Sequence, residues 1–472
     1  MYFRRFYDEQ LAQASYLIGC QANGTAIVID PARVIAPYLE VAAAESLRIV
    51  AVTETHIHAD FLSGLRELSA ATGARAYLSG CGTPAWQYGF RTEPNITVLT
   101  DRGRITIGNV TLEAVHTPGH TPEHLVFVVT DGATATEPIG IVTGDFVFVG
   151  DVGRPDLLEK AARIADTAAA GARQLFRSLT WFKTLPDHLQ IWPGHGAGSA
   201  CGKGLGAMPQ STVGYERRFN WAFGPAGEEE FVRLVLAGQP EPPPYFARMK
   251  QVNRDGPPIL GALPTPRRVT AADLGIVLGA GGLVIDGRPT PDYAAGHLPG
   301  TINIPFTRSF VTHAGSLLPY DQDLHVILPV QSDKEVAGLV ASLVSIGLDR
   351  IAGVAGPDAV PGWVGTGGSL VTLARRSAAE VRHAPARGII LDVRNRSEWE
   401  LGHIPGATLI PLPELVERLG ELSPSVPVLV HCAGGTRSGI AASLLETRGF
   451  TQVTDLKGGF TGWVADGGPV DP

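Results

Sequence analysis

The 472-residue sequence has only four cysteines, Cys20, Cys81, Cys201 and Cys432, far apart and without a Cys-x-x-Cys pair. That spacing argues against a structural zinc knuckle or a redox dithiol and reads as free thiols in a reducing compartment. No apolar run reaches the length of a membrane span. The basic start around Arg4 and Arg5 is followed by no signal-length apolar segment before Leu17, so a cytoplasmic protein is expected. Blocks of lysine and arginine are also absent and the formal net charge is -8, which argues against nucleic acid as a partner. What is present is a 44% hydrophobic content, enough for well-buried cores. The length suits about three domains.

Residues 1 to about 245 alternate strand-like and helical segments. The strands are expected at Ser15–Ile18, Ala26–Asp30, Ile49–Thr53, Val110–Val115, Leu125–Val129 and Ile139–Thr143, with helical spacing over Leu157 to Leu179. Prolines 240, 242, 243, 244, 257 and 258 resist both structures, which places a linker near 250 to 265. Beyond it the chain repeats itself. Asp286-Gly287-Arg288 through Gly296-His297-Leu298-Pro299-Gly300 reappears as Asp392-Val393-Arg394 through Gly402-His403-Ile404-Pro405-Gly406. The reading is therefore a first domain over 1–250 and two copies of one α/β domain over 262–360 and 372–472, divided in the Gly-rich segment Gly362 to Gly368.

Three segments that carry metal-ligating side chains each follow a predicted strand: His56-Ile57-His58-Ala59-Asp60-Phe61, His116-Thr117-Pro118-Gly119-His120 and Thr143-Gly144-Asp145. Two histidines and a carboxylate form the facial set that holds Fe(II) and leaves positions open. Further on, Trp192-Pro193-Gly194-His195 leads into a Gly-rich run containing Cys201 and Lys203. Glycines there permit close approach of a ligand, which makes Cys201 a candidate substrate contact, and Lys203 is positioned to favour its thiolate.

The first segment is similar to the His-x-His-x-Asp-His pattern of the metallo-β-lactamase superfamily, with Phe61 in place of the last histidine. A phenyl ring cannot ligate, so a one-metal site is implied. Residues 1 to about 250 resemble the persulfide dioxygenases of that superfamily. The resemblance implies one Fe(II) per chain on His56, His120 and Asp145. It gives His58 and Asp60 hydrogen-bonding roles beside the site, leaves His195 either hydrogen-bonding or facing substrate, and makes Arg154 a contact to an anionic thiol carrier.

The C-terminal copy carries His431-Cys432-Ala433-Gly434-Gly435-Thr436-Arg437-Ser438 between a strand and a helix. Converging N–H groups and the positive helix end favour an anion at Cys432, and Arg437 adds a cation for an anionic sulfur donor. A cysteine loop closed by arginine also describes protein tyrosine phosphatases. With Asp392-x-Arg394 and Gly402-His403-Ile404-Pro405-Gly406, it resembles the rhodanese sulfurtransferases, whose cysteine carries a persulfide. In the middle copy, aligning the helices places Gln331 at Cys432 and Val336 at Arg437, so that copy is expected to be a non-catalytic spacer or docking unit.

The expected fold class is α/β: a metallo-β-lactamase αβ/βα sandwich, then two rhodanese-like α/β domains, each with a central parallel sheet. The order resembles persulfide dioxygenase–sulfurtransferases of the CstB type. That resemblance implies oxidation of a low-molecular-weight persulfide to sulfite, with Cys432 and Arg437 then transferring sulfur to make thiosulfate. The expected partners are persulfide, O₂ and sulfite, in a homo-oligomer without nucleic acid or membrane. A glyoxalase II-like thioester hydrolase and a persulfide-sensing scaffold are the alternatives.

Overall fold

The computed structural model describes residues 1–160, 167–384 and 387–472. They form two compact units, Met1–Leu263 with Val344–Gly347, and Pro264–Leu343 with Leu348–Pro472. Among the described residues no helix is long and apolar enough to cross a membrane.

The first unit holds two six-stranded sheets. One runs in sequence order from Tyr2–Asp8 through Gln13–Cys20, Thr25–Ile29, Arg48–Thr53 and Arg75–Ser79 to Ile96–Leu99. The other runs from Arg104–Ile107 through Val110–His116, Leu125–Asp131, Gly140–Gly144 and Gln190–Pro193 to Ser211–Thr212. Successive side chains of a strand point to opposite faces. Tyr16, Ile18, Ile27 and Ile29 thus meet Leu112, Ala114, Phe127 and Val142 in a core between the sheets. The alternate residues Leu17 and Val28 pack with Leu65 and Leu68 on one outer face, while Val115, Val126 and Ile141 pack with Leu175 and Leu179 on the other. Each of the six expected strands is observed; Ala26–Asp30 and Ile139–Thr143 each overrun the observed strand by one residue.

Two sequence expectations change. The region taken as linker, near 250 to 265, starts inside the helix Tyr245–Asp255, whose N-cap is Pro244. Proline suits a helix start because the first turn leaves its N–H groups unpaired anyway. The first unit therefore runs past 250 to Leu263. The helical spacing over Leu157 to Leu179 resolves into Leu157–Lys160 and Thr167–Phe182, and positions 161–166 lie outside the described residues.

The second unit holds two parallel five-stranded sheets of the same order. One is Arg267–Arg268, Ile351–Ala355, Leu324–Ile327, Leu283–Asp286 and Ile302–Asn303. The other is Ala374–Arg376, Val453–Leu456, Val428–His431, Ile389–Asp392 and Thr408–Leu409. The proposed boundary segment starts inside the helix Ala359–Gly365, so the chain crosses to the second sheet later, before Ala374.

The repeated sequence pattern turns out to be a structural staple. Arg394 forks onto Asp392 and donates to the Gly402 carbonyl at 2.9 Å, and Arg288 does the same with Asp286 and Gly296, also at 2.9 Å. His403 stacks on Trp399 and His297 on Tyr293, each with ring centroids 3.7 Å apart.

The helix Thr436–Thr447, which follows the Cys432 loop, is buried from Ser438 to Leu445. Its Ser443 hydroxyl accepts from the Asn303 N–H at 2.9 Å, and a Cβ on Gly439 would come within 2.4 Å of Thr290. The middle domain thus covers an apolar helix of the C-terminal one. A separate 372–472 fragment would expose that helix, so tests of Cys432 belong in the full chain.

Glu446 on this helix has an unpartnered Oε2, 3.6 Å from His297 Nε2. Burial raises its carboxyl from 4.5 to about 7. The folded state then binds more protons than the unfolded state between those values, so stability rises as pH falls from 7 towards 4.5. Above pH 7 the buried charge costs up to about 3 kcal/mol. Glu446→Gln should raise the thermal midpoint at about pH 8 and lose that advantage by about pH 4.5, as followed by calorimetry.

Candidate metal centre and thiol loop

Four loops at the ends of strands in the first unit converge on one buried centre. They bring His56, His120, Asp145 and His195 from the strands ending at Thr53, His116, Gly144 and Pro193. His120 Nδ1 donates to the Arg154 carbonyl at 2.9 Å, and His56 Nδ1 lies 2.9 Å from Thr55 Oγ1. Both rings therefore turn Nε2 towards Asp145 Oδ2, at 3.8 Å for His56 and 3.5 Å for His120. The other Asp145 oxygen accepts from His195 Nδ1 at 2.8 Å, whereas Oδ2 is buried without a partner. An orphaned carboxylate oxygen facing two imidazole nitrogens fits a metal cation, and the three ligand atoms lie within 4.8 Å of one another.

The charges agree with that fit. Burial pulls His120 down to about 4 against the attraction of Asp145, and burial with the neighbouring histidines takes His56 well below its ordinary value. Each keeps a lone pair for a metal at neutral pH. Burial opposes ionisation of Asp145, but His195 and the other histidines hold its carboxyl well below the usual range. Glycines allow the close packing. Gly144 has φ +50°, and a Cβ there would stand 2.5 Å from Thr55 Oγ1. One on Gly194 would meet Asp145 Oδ1 at 2.7 Å.

Beside this triad lie Asp60, His195 and Cys201, also within 4.8 Å of one another. His195 Nε2 is 2.8 Å from Asp60 Oδ2. Although burial opposes it, the pair Asp145 and Asp60 raises His195 well above its ordinary value, so both ring nitrogens donate and no lone pair is offered. His58 Nε2 lies 3.1 Å from Asp30 Oδ1, and burial is outweighed by Asp30, which takes the ring up to about 9. Phe61 is fully buried with its centroid 4.4 Å from that of His58.

Arg154 and Lys203 differ from expectation. The Arg154 guanidinium is fully buried, forks onto Asp156 at 2.7 and 2.8 Å and donates to the Ala200 carbonyl. It is occupied, and the group it presents to the centre is its carbonyl on His120. Lys203 donates to the Leu234 carbonyl at 2.6 Å and lies over Trp221, so it does not serve the Cys201 thiol. Burial, then Asp145 and Asp60, push that thiol well above its ordinary value.

Several site residues escaped the sequence reading. Asp30 accepts from the Thr55 N–H at 2.6 Å, and His124 Nε2 accepts from the Asp145 N–H at 3.2 Å. His124 stands only four residues after His120 and could have been flagged by that spacing. Lys250 and Asn253 lie in the region read as linker and carried no signal.

In the second unit the strand Val428–His431 runs into Cys432, which is buried with its Sγ accepting from the Gly435 N–H at 3.1 Å. Gly435 has φ +113°, a left-handed backbone that glycine accepts without strain. Ser438 Oγ is 3.6 Å from Sγ and donates to Asp455 at 2.6 Å. Arg437 is paired with Glu398 at 2.6 and 2.8 Å, so the donor facing the sulfur here is backbone and not the expected guanidinium. In the middle copy Asp286 pairs with Ile327 as Asp392 pairs with His431. Strand register thus places Leu328, and not Gln331, opposite Cys432. The middle copy's connection is longer, and it contains no cysteine.

A metal-ligand triad at strand ends of an αβ/βα sandwich, followed by a thiol loop at a helix start, defines a metal-dependent enzyme class joined to a sulfur-handling domain. The metallo-beta-lactamase superfamily pattern matches residues 9–195 and the rhodanese-like domain pattern residues 376–466. A solved metallo-beta-lactamase from Staphylococcus aureus subsp. aureus COL is 43% identical, covering 75% of this chain and 99% of its own, with a TM-score of 0.69. The chain belongs to the metallo-beta-lactamase superfamily and carries a rhodanese-like domain near its C-terminus. A hydroxyacylglutathione hydrolase of Prochlorococcus marinus (strain MIT 9211) is 27% identical over 37% of this chain and 62% of its own length. The uncharacterized protein YqhL of Bacillus subtilis (strain 168) is 42% identical over 18% of this chain and 67% of its own length.

Proposed function

We propose that the protein is a persulfide dioxygenase coupled to a sulfurtransferase. The observation that carries this reading is the ligand triad His56, His120 and Asp145, beside a second group in which Phe61 stands where a ligating histidine would and His195 is held between two carboxylates. Iron(II) in such a set supplies activation of O₂. The balanced reaction is RSSH + O₂ + H₂O → RSH + SO₃²⁻ + 2 H⁺, in which O₂ oxidises the terminal sulfur and the inner sulfur leaves as thiol. The chain's part is to present two unprotonated imidazoles and one ionised carboxylate, and to hold the substrate sulfur against that face.

At the second site, Cys432 takes the terminal sulfur of another persulfide, releasing its thiol. Sulfite then attacks that sulfane sulfur to give thiosulfate and free Cys432. The Gly435 N–H steadies the sulfur anion that forms at each exchange.

Iron should bind at one equivalent per chain, and anaerobically loaded protein should consume O₂ on addition of persulfide. The second reading, a thioester hydrolase, is favoured by the retained Asp60 and His195 and by the likeness to hydroxyacylglutathione hydrolases. Two metals per chain, with thioester cleavage and no oxygen uptake, would establish it against the dioxygenase.

A further inference from the structure

The helix Tyr245–Asp255 turns one face inward, burying Tyr245, Phe246, Met249, Lys250 and Asn253. Asn253 shows where that face lies. Its amide donates to the carbonyls of His58 and Phe61 at 2.8 and 2.7 Å, and its oxygen accepts from the Ser63 N–H at 2.9 Å. The helix is thereby clamped onto the metal-binding loop, and Lys250 stands on the same stripe three residues earlier.

Lys250 is 4% exposed. Its ammonium lies 4.3 Å from the centroid of the half-buried Trp86 ring. Among the described residues it has no hydrogen-bonding or ion-pairing partner. A buried ammonium with no direct anionic partner is costly unless an anion joins it. Its field reaches the centre: Lys250 acts on His120 and Glu123, and Glu123 and Cys201 act on Lys250. Burial nonetheless pulls the ammonium down to about 8. Glu123 spends one oxygen on the Ile57 N–H and leaves Oε2 unpartnered, so it does not neutralise Lys250 by a direct bond.

The geometry points to Lys250 as the residue that receives the anionic sulfur of the substrate beside the metal centre, with the Trp86 ring as the adjoining wall of that seat. This rests on the reading of the first unit as persulfide-handling. The reacting sulfur is favoured over a charged tail of the thiol carrier because Lys250 shares its buried helix face with Asn253, which is bonded to the His58–Phe61 loop of the metal centre. Lys250 is a binding residue in this scheme. It supplies the cation that Arg154 and Lys203, both engaged elsewhere, do not.

The test uses full-length protein loaded with cobalt(II), whose thiolate absorption band reports a bound sulfur anion without O₂ or turnover. The probe is 2-mercaptoethanol, which has no charge apart from its sulfur. Lys250→Met should bind it about tenfold or more weaker than wild type, and Lys250→Arg should recover most of the loss, at equal cobalt content. Unchanged affinity in Lys250→Met overturns the proposal. So does a loss seen with 3-mercaptopropionate but not with 2-mercaptoethanol, since Lys250 would then read the carrier's tail. If Lys250→Met does not fold, Trp86→Leu on its short surface turn decides: binding weakened about threefold supports the seat, and unchanged binding overturns it. Oxygen uptake of iron-loaded wild type is measured separately. Lysine-dependent thiolate binding without oxygen uptake would remove the dioxygenase reading and leave the sulfur seat standing.

Discussion

His56→Ala should bind iron at least about 100-fold more weakly than wild type and lose oxygen uptake with it, a larger loss than mutation of a neighbouring partner of a ligand produces. The reason is geometric. His56 Nε2 and His120 Nε2 flank the lone unpartnered oxygen of Asp145, and among the described residues the other histidines nearby cannot stand in. His195 donates through both nitrogens, and His58 is turned to Asp30. Asp145→Asn should fail in the same way, because an amide offers no negative charge and cannot accept both a metal and the His195 N–H as well. Elemental analysis of anaerobic protein and an oxygen electrode measure the two losses. Thiosulfate:cyanide sulfur transfer at Cys432 serves as the internal control, since that loop belongs to the other unit. Full iron content in His56→Ala would refute the ligand assignment.

Cys432→Ser should abolish sulfur transfer and change the product of persulfide oxidation from thiosulfate to sulfite, while oxygen uptake continues. A serine hydroxyl keeps the contact with Gly435 but forms no persulfide, so no sulfane sulfur is available for sulfite to attack. Joining both sites in one chain raises the effective concentration of sulfite near Cys432. The effect on product should therefore be large even at low enzyme concentration. Chromatography after thiol labelling separates the two anions. Thiosulfate at wild-type yield, after correction for the spontaneous reaction of sulfite with persulfide, would show that Cys432 is not the transfer step.

Both predictions use positions that could be read directly from the chain. Alternating apolar residues specify strands locally, and all six expected strands appear. The sequence likewise shows that Phe61 cannot ligate a metal and that the middle copy lacks a cysteine, because these depend on residue identity alone. The repeated Asp-x-Arg and Gly-His pattern was visible as a repeat. Its work, a guanidinium stapled to its own strand and to a turn carbonyl, became clear only from the hydrogen bonds.

Partner choice among charged groups was decided by the tertiary structure. His195 and Asp60 are 135 residues apart and meet at 2.8 Å, a pairing no local pattern encodes. Arg154 and Arg437 looked like free cations but are taken by Asp156 and Glu398, since a guanidinium withdrawn from water is stabilised by a carboxylate that accepts from its fork. Lys250 was hidden in a proline-rich stretch that reads as linker. The first turn of a helix tolerates proline, so that stretch folds as a helix and carries a lysine into the site. The sequence by itself determined the strands, the set of available ligands and the single thiol loop. Which charges are paired, and which one is left for an anion, was decided only where distant loops pack together, because that depends on distance and burial rather than on spacing along the chain.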